Sequence, residues 1–433
     1  MKRRGNETAK TALLAAVVAM VGSLYLLAIL NAVPPHPDLD VYVRGARDLL
    51  AGRPLYDAYL QSSADPTLRN GFIYPPIFAI LLAPLAWIPA NVTPIVWLIA
   101  TQAALAGAFI LVMRRLHPGR TVVLVALAVT LAFYPLWADS SQAQANLPIL
   151  FLVTAGILGV SSGSDRAAAW LGLAAALKLT PALVLIWLLW DGRWRAAAWM
   201  GGVAAAATGA AALIRPTDTV TYVSRVLPLL AHGTAYYSNQ SIAGLAGRLF
   251  SGNPYVDPIA NFPWWPIAVD LLGAALLGFW LVQSRRLESP LSRGLTFLPL
   301  LPLLSTVSWE HHLVILLPLV WLLIVKLAPH PLPASGEREI GPWKWGRAIW
   351  LGLALLCLIE IPHLPVGPPY ATAFARAAHT ANPFLIVVAN RLLLGTLLLF
   401  VLAPWLLRQS SANSAVELKW PGTSSSLELD LPA

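Results

Sequence analysis

Asp38 and Asp40 are the first residues along this chain that could do chemistry, in the order Pro37-Asp38-Leu39-Asp40-Val41-Tyr42, just after a long apolar run. A carboxylate held there, partly desolvated at the level of a lipid phosphate, can take the proton of an attacking hydroxyl. A plainer role also fits, with Asp38 as a helix N-cap and Asp40 as a solvated charge. In an extended entry segment, side chains two residues apart face opposite ways, so only one of the pair can look into a cavity. The second group is Ser308-Trp309-Glu310-His311-His312. Three adjacent ionisable residues between apolar runs are costly unless they meet a polar cavity. His311 and His312 suit donation of a hydrogen bond or proton to a lipid phosphate. A structural hydrogen-bond cluster at a helix start is one alternative. A metal site with Glu310 is another, although adjacent residues on a helix point in different directions and three ligands rarely converge.

Lys178, in Lys178-Leu179-Thr180-Pro181, would make a charge-assisted phosphate contact, or else snorkel to the membrane interface. Arg391 lies inside the last apolar run, where an unpaired guanidinium is expensive. It either faces the same cavity or pairs with an interior acid such as Asp270 or Glu360. Tyr74 groups with Lys178 and Arg391 as a donor-side candidate. Gln144 and Asn146, opening another apolar run, are hydroxyl-binding amides or helix caps. Tyr236-Tyr237-Ser238-Asn239-Gln240-Ser241 has the aromatic-plus-amide character of a sugar-contacting surface, and equally that of an interfacial aromatic belt. Asn239 and Gln240, with Gln144, Asn146 and Glu310, form the sugar- or acceptor-side set.

The elements that must position these residues are membrane elements. The chain is 58% hydrophobic and only 11% charged over 433 residues, where soluble domains carry about 25% charged residues. Its mean hydropathy is +0.67. So much apolar surface needs the bilayer as its solvent. The formal charge of +9 sits in short Arg and Lys clusters between apolar runs, the pattern of membrane orientation rather than of nucleic-acid binding. The single cysteine, Cys357, excludes a disulfide framework and a thiolate metal site. The basic start Met1 to Lys10 leads into an apolar run at 11–33 that is long enough to span and lacks a small-residue cleavage site, so it reads as an anchor.

The candidate spans are 11–33, 94–113, 121–137, 147–160, 167–179, 181–190, 195–214, 264–284, 294–307, 313–327, 348–361 and 384–407. Lys2, Arg3, Arg4 and Lys10 set the N-terminus in the cytoplasm. Arg114, Arg115, Arg120, Arg193, Arg195, Arg285, Arg286, Arg293, Lys326, Lys344 and Arg347 then belong on the same side. Agreement among them requires that 74–89, with Pro75, Pro76 and Pro84, dip into the membrane and return. It also requires that 167–190 be two short helices broken at Pro181. The expectation is an all-α polytopic protein of about twelve spans, both termini inside, with amphipathic helices and loops on the outer face. One amphipathic helix follows Asp38, with Val41, Ala46, Leu49 and Leu50 as its apolar side. Residues 1–408 form one transmembrane domain, and 409–433, polar and Ser-rich, a disordered cytoplasmic tail. No Gly-rich phosphate loop marks a cytosolic nucleotide-binding domain.

Six segments taken together resemble glycosyltransferase family 87, the polyprenol-phosphate-mannose-dependent membrane glycosyltransferases of GT-C fold. They are DLDVYVRGARDLLAGRPLY from Asp38, FIYPPIFAILLAPLAWIP from Phe72, QANLPILFLV from Gln144, GLAAALKLTPALVLIWLL from Gly172, SNQSIAGLAGRL from Ser238 and SWEHHLVILLP from Ser308. They run in the family's order over residues 38 to 318. One departure stands beside Gln144: Ala143 occupies a place where the family pattern usually has Gly.

The resemblance implies an inverting transfer on the outer face of the inner (plasma) membrane, without nucleotide, metal or other cofactor. A β-linked polyprenyl-phospho-hexose, mannose above all, gives an α-linkage on a lipid-linked or glycan acceptor. Asp38, where the family pattern begins, becomes the general base, with Asp40 in reserve; His311, His312 and Lys178 stabilise the departing lipid phosphate. A transporter or flippase of lipid-linked sugars would share the spans and the interior charges. It would need polar residues near the midplane and a repeat between halves, whereas here the polar residues gather at the ends of spans and no repeat is evident. A non-catalytic scaffold does not require acid, amide, Lys and His groups on one face.

Overall fold

The computed structural model describes residues 2–30, 37–62, 70–328, 342–360, 386 and 389–408. The tail at 409–433, the loop at 362–383 and most of the Pro-rich loop at 328–342 lie outside them. The described residues are helical, with only two isolated bridges, Phe133 to Ile359 and Asn239 to Trp309. Among the described residues, five helices are long and apolar enough to cross a membrane: Thr8–Leu30, Thr93–Leu116, Trp194–Ile214, Trp265–Ser284 and Glu310–Leu327. Shorter apolar helices of 10–17 residues accompany them, among them Arg120–Leu131, Asn146–Ser161 and Arg391–Leu407. Such a set of apolar helices makes this a multi-pass membrane protein.

Outward faces and centre differ as a bilayer demands. Trp265–Ser284 buries only Trp280 and Ser284 and presents Ile267, Leu271, Leu272 and Val282 outward. Leu317–Leu327 instead buries Leu317 through Ile324 and ties Trp321 Nε1 to Thr130 Oγ1 at 2.7 Å. Around it, Thr93–Leu116 packs on Asn146–Ser161, and Ala168–Leu177 packs on both Asn146–Ser161 and Trp194–Ile214.

Proline geometry decides where several apolar runs break. A proline's ring collides with the carbonyl four residues earlier, so a helix tends to stop there. Pro181 ends Ala168–Leu177 in this way, and the chain resumes at Thr180–Leu183 and Val184–Trp190. The expected break at Lys178 is present. The same rule corrects two expected spans. The run 121–137 is not one helix: Pro135 ends Arg120–Leu131 and opens a separate helix, Tyr134–Ser141. The run 294–307 is cut by Pro299 and Pro302 into Pro290–Phe297 and Leu300–Leu303.

Arg391 opens the helix Arg391–Leu407 and follows a turn at Asn390, before which Ile386 and Ala389 are helical. The segment 74–89 forms a short helix, Pro76–Leu82, continued by a tight turn of helix, Ala83–Trp87.

Pro37–Leu50 is the amphipathic helix expected after the first span. Its buried stripe is Leu39, Tyr42, Val43 and Ala46, the i, i+3, i+4, i+7 pattern, laid against Pro76–Leu82 and Ala83–Trp87. Val41 and Leu50 are off this stripe; Val41 lines a cavity and Leu50 is exposed. Asp38 belongs to the first helical turn instead of capping it. The entry segment is therefore not extended, yet the two aspartates still diverge, because a helix turns about 200° over two residues.

Candidate active site

A cavity of about 1080 Å³ opens where the helix Pro37–Leu50, the loop after Tyr134–Ser141, the break at Lys178, the loop before Ile242–Phe250 and the start of Glu310–Leu327 meet. Asp38, Tyr74, Gln144, Lys178, Glu310, His311 and His312 all line it. Asp40, two residues from Asp38, is exposed and is not among the lining residues.

Asp38 is held from one side by a relay of hydroxyls and amides. Tyr42, 1% exposed, donates its hydroxyl to Gln144 Oε1 at 2.9 Å. With that proton committed, the 3.0 Å contact between the Tyr42 and Tyr74 hydroxyls has Tyr74 as donor. Gln144's Oε1 being occupied, its amide N–H is what remains to donate to Asp38. Burial raises Asp38 above the usual carboxylate range, against the opposing pull of the Gln144 bond and the Lys178 charge.

The turn that delivers Gln144 is strained. Ala143 has φ +52°, in the left-handed region that favours glycine. Its carbonyl accepts from Trp97 Nε1 at 2.8 Å, and Gln144 N donates to Asp139 O at 2.9 Å, so the kink is pinned on both sides. Ala143 is the residue that departs from the family pattern, and its backbone explains why glycine suits that place.

On the facing side, Lys178 leaves its helix in an extended conformation, its N–H still bonded to Ala174 O at 2.9 Å. Its Nζ donates to Asn146 Oδ1 at 2.5 Å, and Asn146 Nδ2 donates to Asp139 Oδ1 at 2.8 Å. Desolvation pulls the Lys178 ammonium down to about 8, with Asp139 and Asp38 working against the shift. The His311 and His312 rings lie 4.9 Å apart, nearly perpendicular. They begin a 3₁₀ segment, Glu310–Leu316, in which consecutive side chains point about 120° apart. Glu310 accordingly turns to Tyr134, whose hydroxyl donates to Glu310 Oε2 at 2.9 Å. His311 Nε2 is buried with no hydrogen-bond partner among the described residues, as a group awaiting a ligand would be.

Three candidate residues lie elsewhere. Arg391 pairs with Glu360 at 2.5 Å and stacks over the Tyr134 ring, away from the cavity lining. Asn239 spends its amide on Thr234 O and Thr306 O, and its Oδ1 on the N–H of Ser308. Gln240 is likewise consumed by Tyr237 O, Ala389 O and the N–H of Leu393. These amides shape the loop whose Tyr236, Tyr237 and Ser238 line the cavity.

Asp139, behind the lining, and Tyr42 and Trp309, within it, carry no role in the sequence pattern. Asp139 is 0% exposed, and burial pushes its carboxyl up to about 7, opposed by Asn146 and Lys178. The signal available was a lone acid in the polar run Asp139-Ser140-Ser141-Gln142. Among the described residues no three His, Cys, Asp or Glu side chains gather where they could hold a metal ion. The chemistry the lining offers is two carboxyl groups, Asp38 and the Tyr134-bonded Glu310, with one ammonium, two imidazoles and neutral hydrogen-bonding groups.

Comparison with known proteins matches residues 72–306 to glycosyltransferase family 87. That stretch contains Tyr74, Gln144, Asn146 and Lys178, and stops short of Asp38 and the His pair. A polyprenol-phosphate-mannose-dependent alpha-(1-2)-phosphatidylinositol pentamannoside mannosyltransferase of Mycolicibacterium smegmatis is 31% identical over 353 residues, 78% of this chain and 80% of the relative. A polyprenol-phosphate-mannose-dependent alpha-(1-2)-phosphatidylinositol mannoside mannosyltransferase of Mycobacterium tuberculosis is 30% identical over 308 residues, 66% of this chain and 70% of the relative. No solved structure matches the chain.

Proposed function

The chain belongs to glycosyltransferase family 87, and from that premise we propose that it transfers mannose from a polyprenyl-phosphate donor to a mannosylated glycolipid acceptor, with inversion to an α-linkage. The observation that carries the reading is the single cavity of about 1080 Å³ lined at once by Asp38, Lys178, His311 and His312. A carboxylate and a phosphate-binding ammonium sharing one cavity match a displacement at an anomeric carbon. The relatives' acceptors, phosphatidylinositol mannosides, supply the acceptor class.

In the proposed step, the acceptor hydroxyl oxygen attacks the anomeric carbon and its proton passes to Asp38. The bond from that carbon to the phosphate oxygen breaks, and its electron pair leaves with the phosphate. The donor is thereby converted from a phosphodiester with one negative charge to a phosphomonoester with two. Lys178, His311 and His312 are the groups that meet this added charge. Asp38 must be ionised to act, so the rate falls as pH drops through its raised pKa. The reaction as proposed calls for no nucleotide and no metal.

The proposed architecture is a GT-C type bundle of about twelve spans over residues 1–408 in the inner membrane. Both termini are cytoplasmic and the cavity opens to the outer side. Support comes from the Arg and Lys clusters, which share one side when 74–89 returns without crossing.

The test is reconstitution of the purified protein with polyprenyl-phosphate-mannose and a panel of phosphatidylinositol mannosides, followed by mass spectrometry and α-mannosidase digestion of the lipids. An acceptor heavier by one hexose, sensitive to α-mannosidase, is expected. Movement of intact donor between leaflets without any transfer would overturn the reading in favour of a transporter.

A further inference from the structure

We propose that Asp139 is a positioning residue for the transfer: acting through Asn146, it aims the Lys178 ammonium into the cavity and keeps it charged for the donor phosphate. The inference rests on the donor chemistry proposed above.

The geometry is a line of three side chains. Lys178 Nζ donates to Asn146 Oδ1 at 2.5 Å, and Asn146 Nδ2 donates to Asp139 Oδ1 at 2.8 Å. Lys178 and Asn146 also line a small annex beside the main cavity, with Ser305, Ser308 and His312. Asp139 itself is 0% exposed and lies behind this wall.

An amide can bond either way round, and a carboxylate removes that freedom. Asp139, when ionised, only accepts, so Asn146 must turn its N–H toward Asp139 and its oxygen toward Lys178. The ammonium thus meets an acceptor rather than a second donor. An asparagine at 139 could accept the same bond, but it would no longer force the orientation.

The second contribution is charge. Asp139 Oδ2 is buried and has no hydrogen-bond partner among the described residues, a wasteful arrangement for a purely structural acid. A buried carboxylate of this kind acts on its surroundings by its field. Lys178 faces Asp139 and Asp38, which support its charge, and His311 and His312, which would oppose it if protonated. Around Asp139, the hydroxyls of Tyr25, Tyr42 and Tyr74 complete the set of titratable neighbours. A lysine in so enclosed a wall tends to lose its proton, and Asp139 counters that tendency. The demand is greatest in the transfer step, when the departing phosphate gains its second negative charge.

The measurement is kcat/KM for the polyprenyl-phosphate-mannose donor as a function of pH, in the reconstituted full-length protein. In the wild type, the alkaline limb reports loss of the Lys178 proton. Asp139→Asn should move that limb down by about one pH unit. Its deficit should therefore be about tenfold on the alkaline side and shrink toward acid pH. The double exchange, Asp139→Asn with Asn146→Asp, retains one acid and one amide and should bring the limb back toward its wild-type position.

A merely structural Asp139 would lower activity evenly at every pH, and an unmoved limb in folded Asp139→Asn overturns the proposal. Should that variant fail to fold, the double exchange decides: if Asp139 were irrelevant it would only add a carboxylate beside Lys178, and a limb raised by about one pH unit overturns the proposal. A wild-type protein that transfers no mannose at any pH overturns the functional reading and takes this inference with it. Transfer with immobile limbs defeats the inference alone.

Discussion

Two buried polar clusters sit at the edges of the same cavity and are built from the same kinds of residue. One is the wall of Asp38, Gln144, Asn146 and Lys178. The other is the knot of Asn239, Gln240, Arg248 and Asn390. In the knot, Arg248 is 1% exposed and donates to Tyr236 O at 2.8 Å, Asn239 O at 2.9 Å and Asn390 Oδ1 at 2.5 Å. Asn239 and Gln240 are satisfied almost wholly by main-chain groups. In the wall, side chains bond chiefly to one another, and the cavity lies open beside them. The difference teaches that residue type does not separate site from scaffold. A polar side chain spent on backbone carbonyls fixes a loop, whereas one bonded to another charged or polar side chain beside an open volume still has capacity for a ligand.

The comparison breaks most sharply at Asp38. Asp38→Asn keeps the shape and the bond to Gln144 but abolishes basicity, and should slow turnover by about 10²–10⁴-fold with both substrates still bound. Asp40→Asn, on the exposed side of the same helical turn, should lose no more than a few-fold. Reversed losses in a steady-state assay would transfer the role to Asp40, and small losses in both would remove the base from this loop altogether.

The knot predicts a different kind of damage. Arg248→Ala leaves several buried carbonyls without a donor and should cost about 3 kcal/mol of stability. Thermal unfolding in detergent would register it as a lowered midpoint. The fraction that remains folded should keep the wild-type pH profile, since no titrating group of the wall has changed. A shifted profile would show that wall and knot are one functional unit.

Lys178→Ala should weaken donor affinity by about 1.5–3 kcal/mol, the worth of a charge-assisted phosphate contact. The loss should appear in donor KM or direct donor binding, with a further fall in kcat because the contact strengthens as the phosphate gains charge, and with acceptor KM unchanged. An unaltered donor affinity would reduce Lys178 to a snorkelling residue.

The smallest expected effect is a gain. Ala143 holds φ +52° with a side chain that disfavours it. Ala143→Gly should stabilise the protein by about 1 kcal/mol, seen as a raised unfolding midpoint, without loss of activity. A destabilised variant would mean that the Ala143 methyl contributes packing that outweighs its backbone strain.

Much of the frame was legible in the chain itself. An apolar fraction of 58% requires a bilayer. Pro181 requires a helix break beside Lys178 because its ring excludes the helical carbonyl four residues back, a clash that depends on nothing distant. Pro135 and Pro299 act by the same rule, and they break the apolar runs 121–137 and 294–307 that hydrophobicity alone makes continuous. Ala143 stands out in the sequence as a departure from the family pattern, and its φ of +52° is the physical reason.

Other assignments could not be made from local sequence. Gln240 reads as a sugar-binding amide until its partner, the carbonyl of Ala389, arrives from 149 residues away. Arg391 had two acids within its apolar surroundings, and packing joined it to Glu360. Beyond being a lone acid in a polar run, Asp139 has no local feature that singles it out, and only the fold encloses it behind Asn146 and Lys178. Hydrophobicity and proline sterics are properties of a residue and its immediate neighbours, so the sequence alone determined membrane character and breakpoints. Whether a buried polar atom meets a carbonyl, a counter-charge or an open cavity depends on contacts between distant segments, and only the tertiary structure decided that.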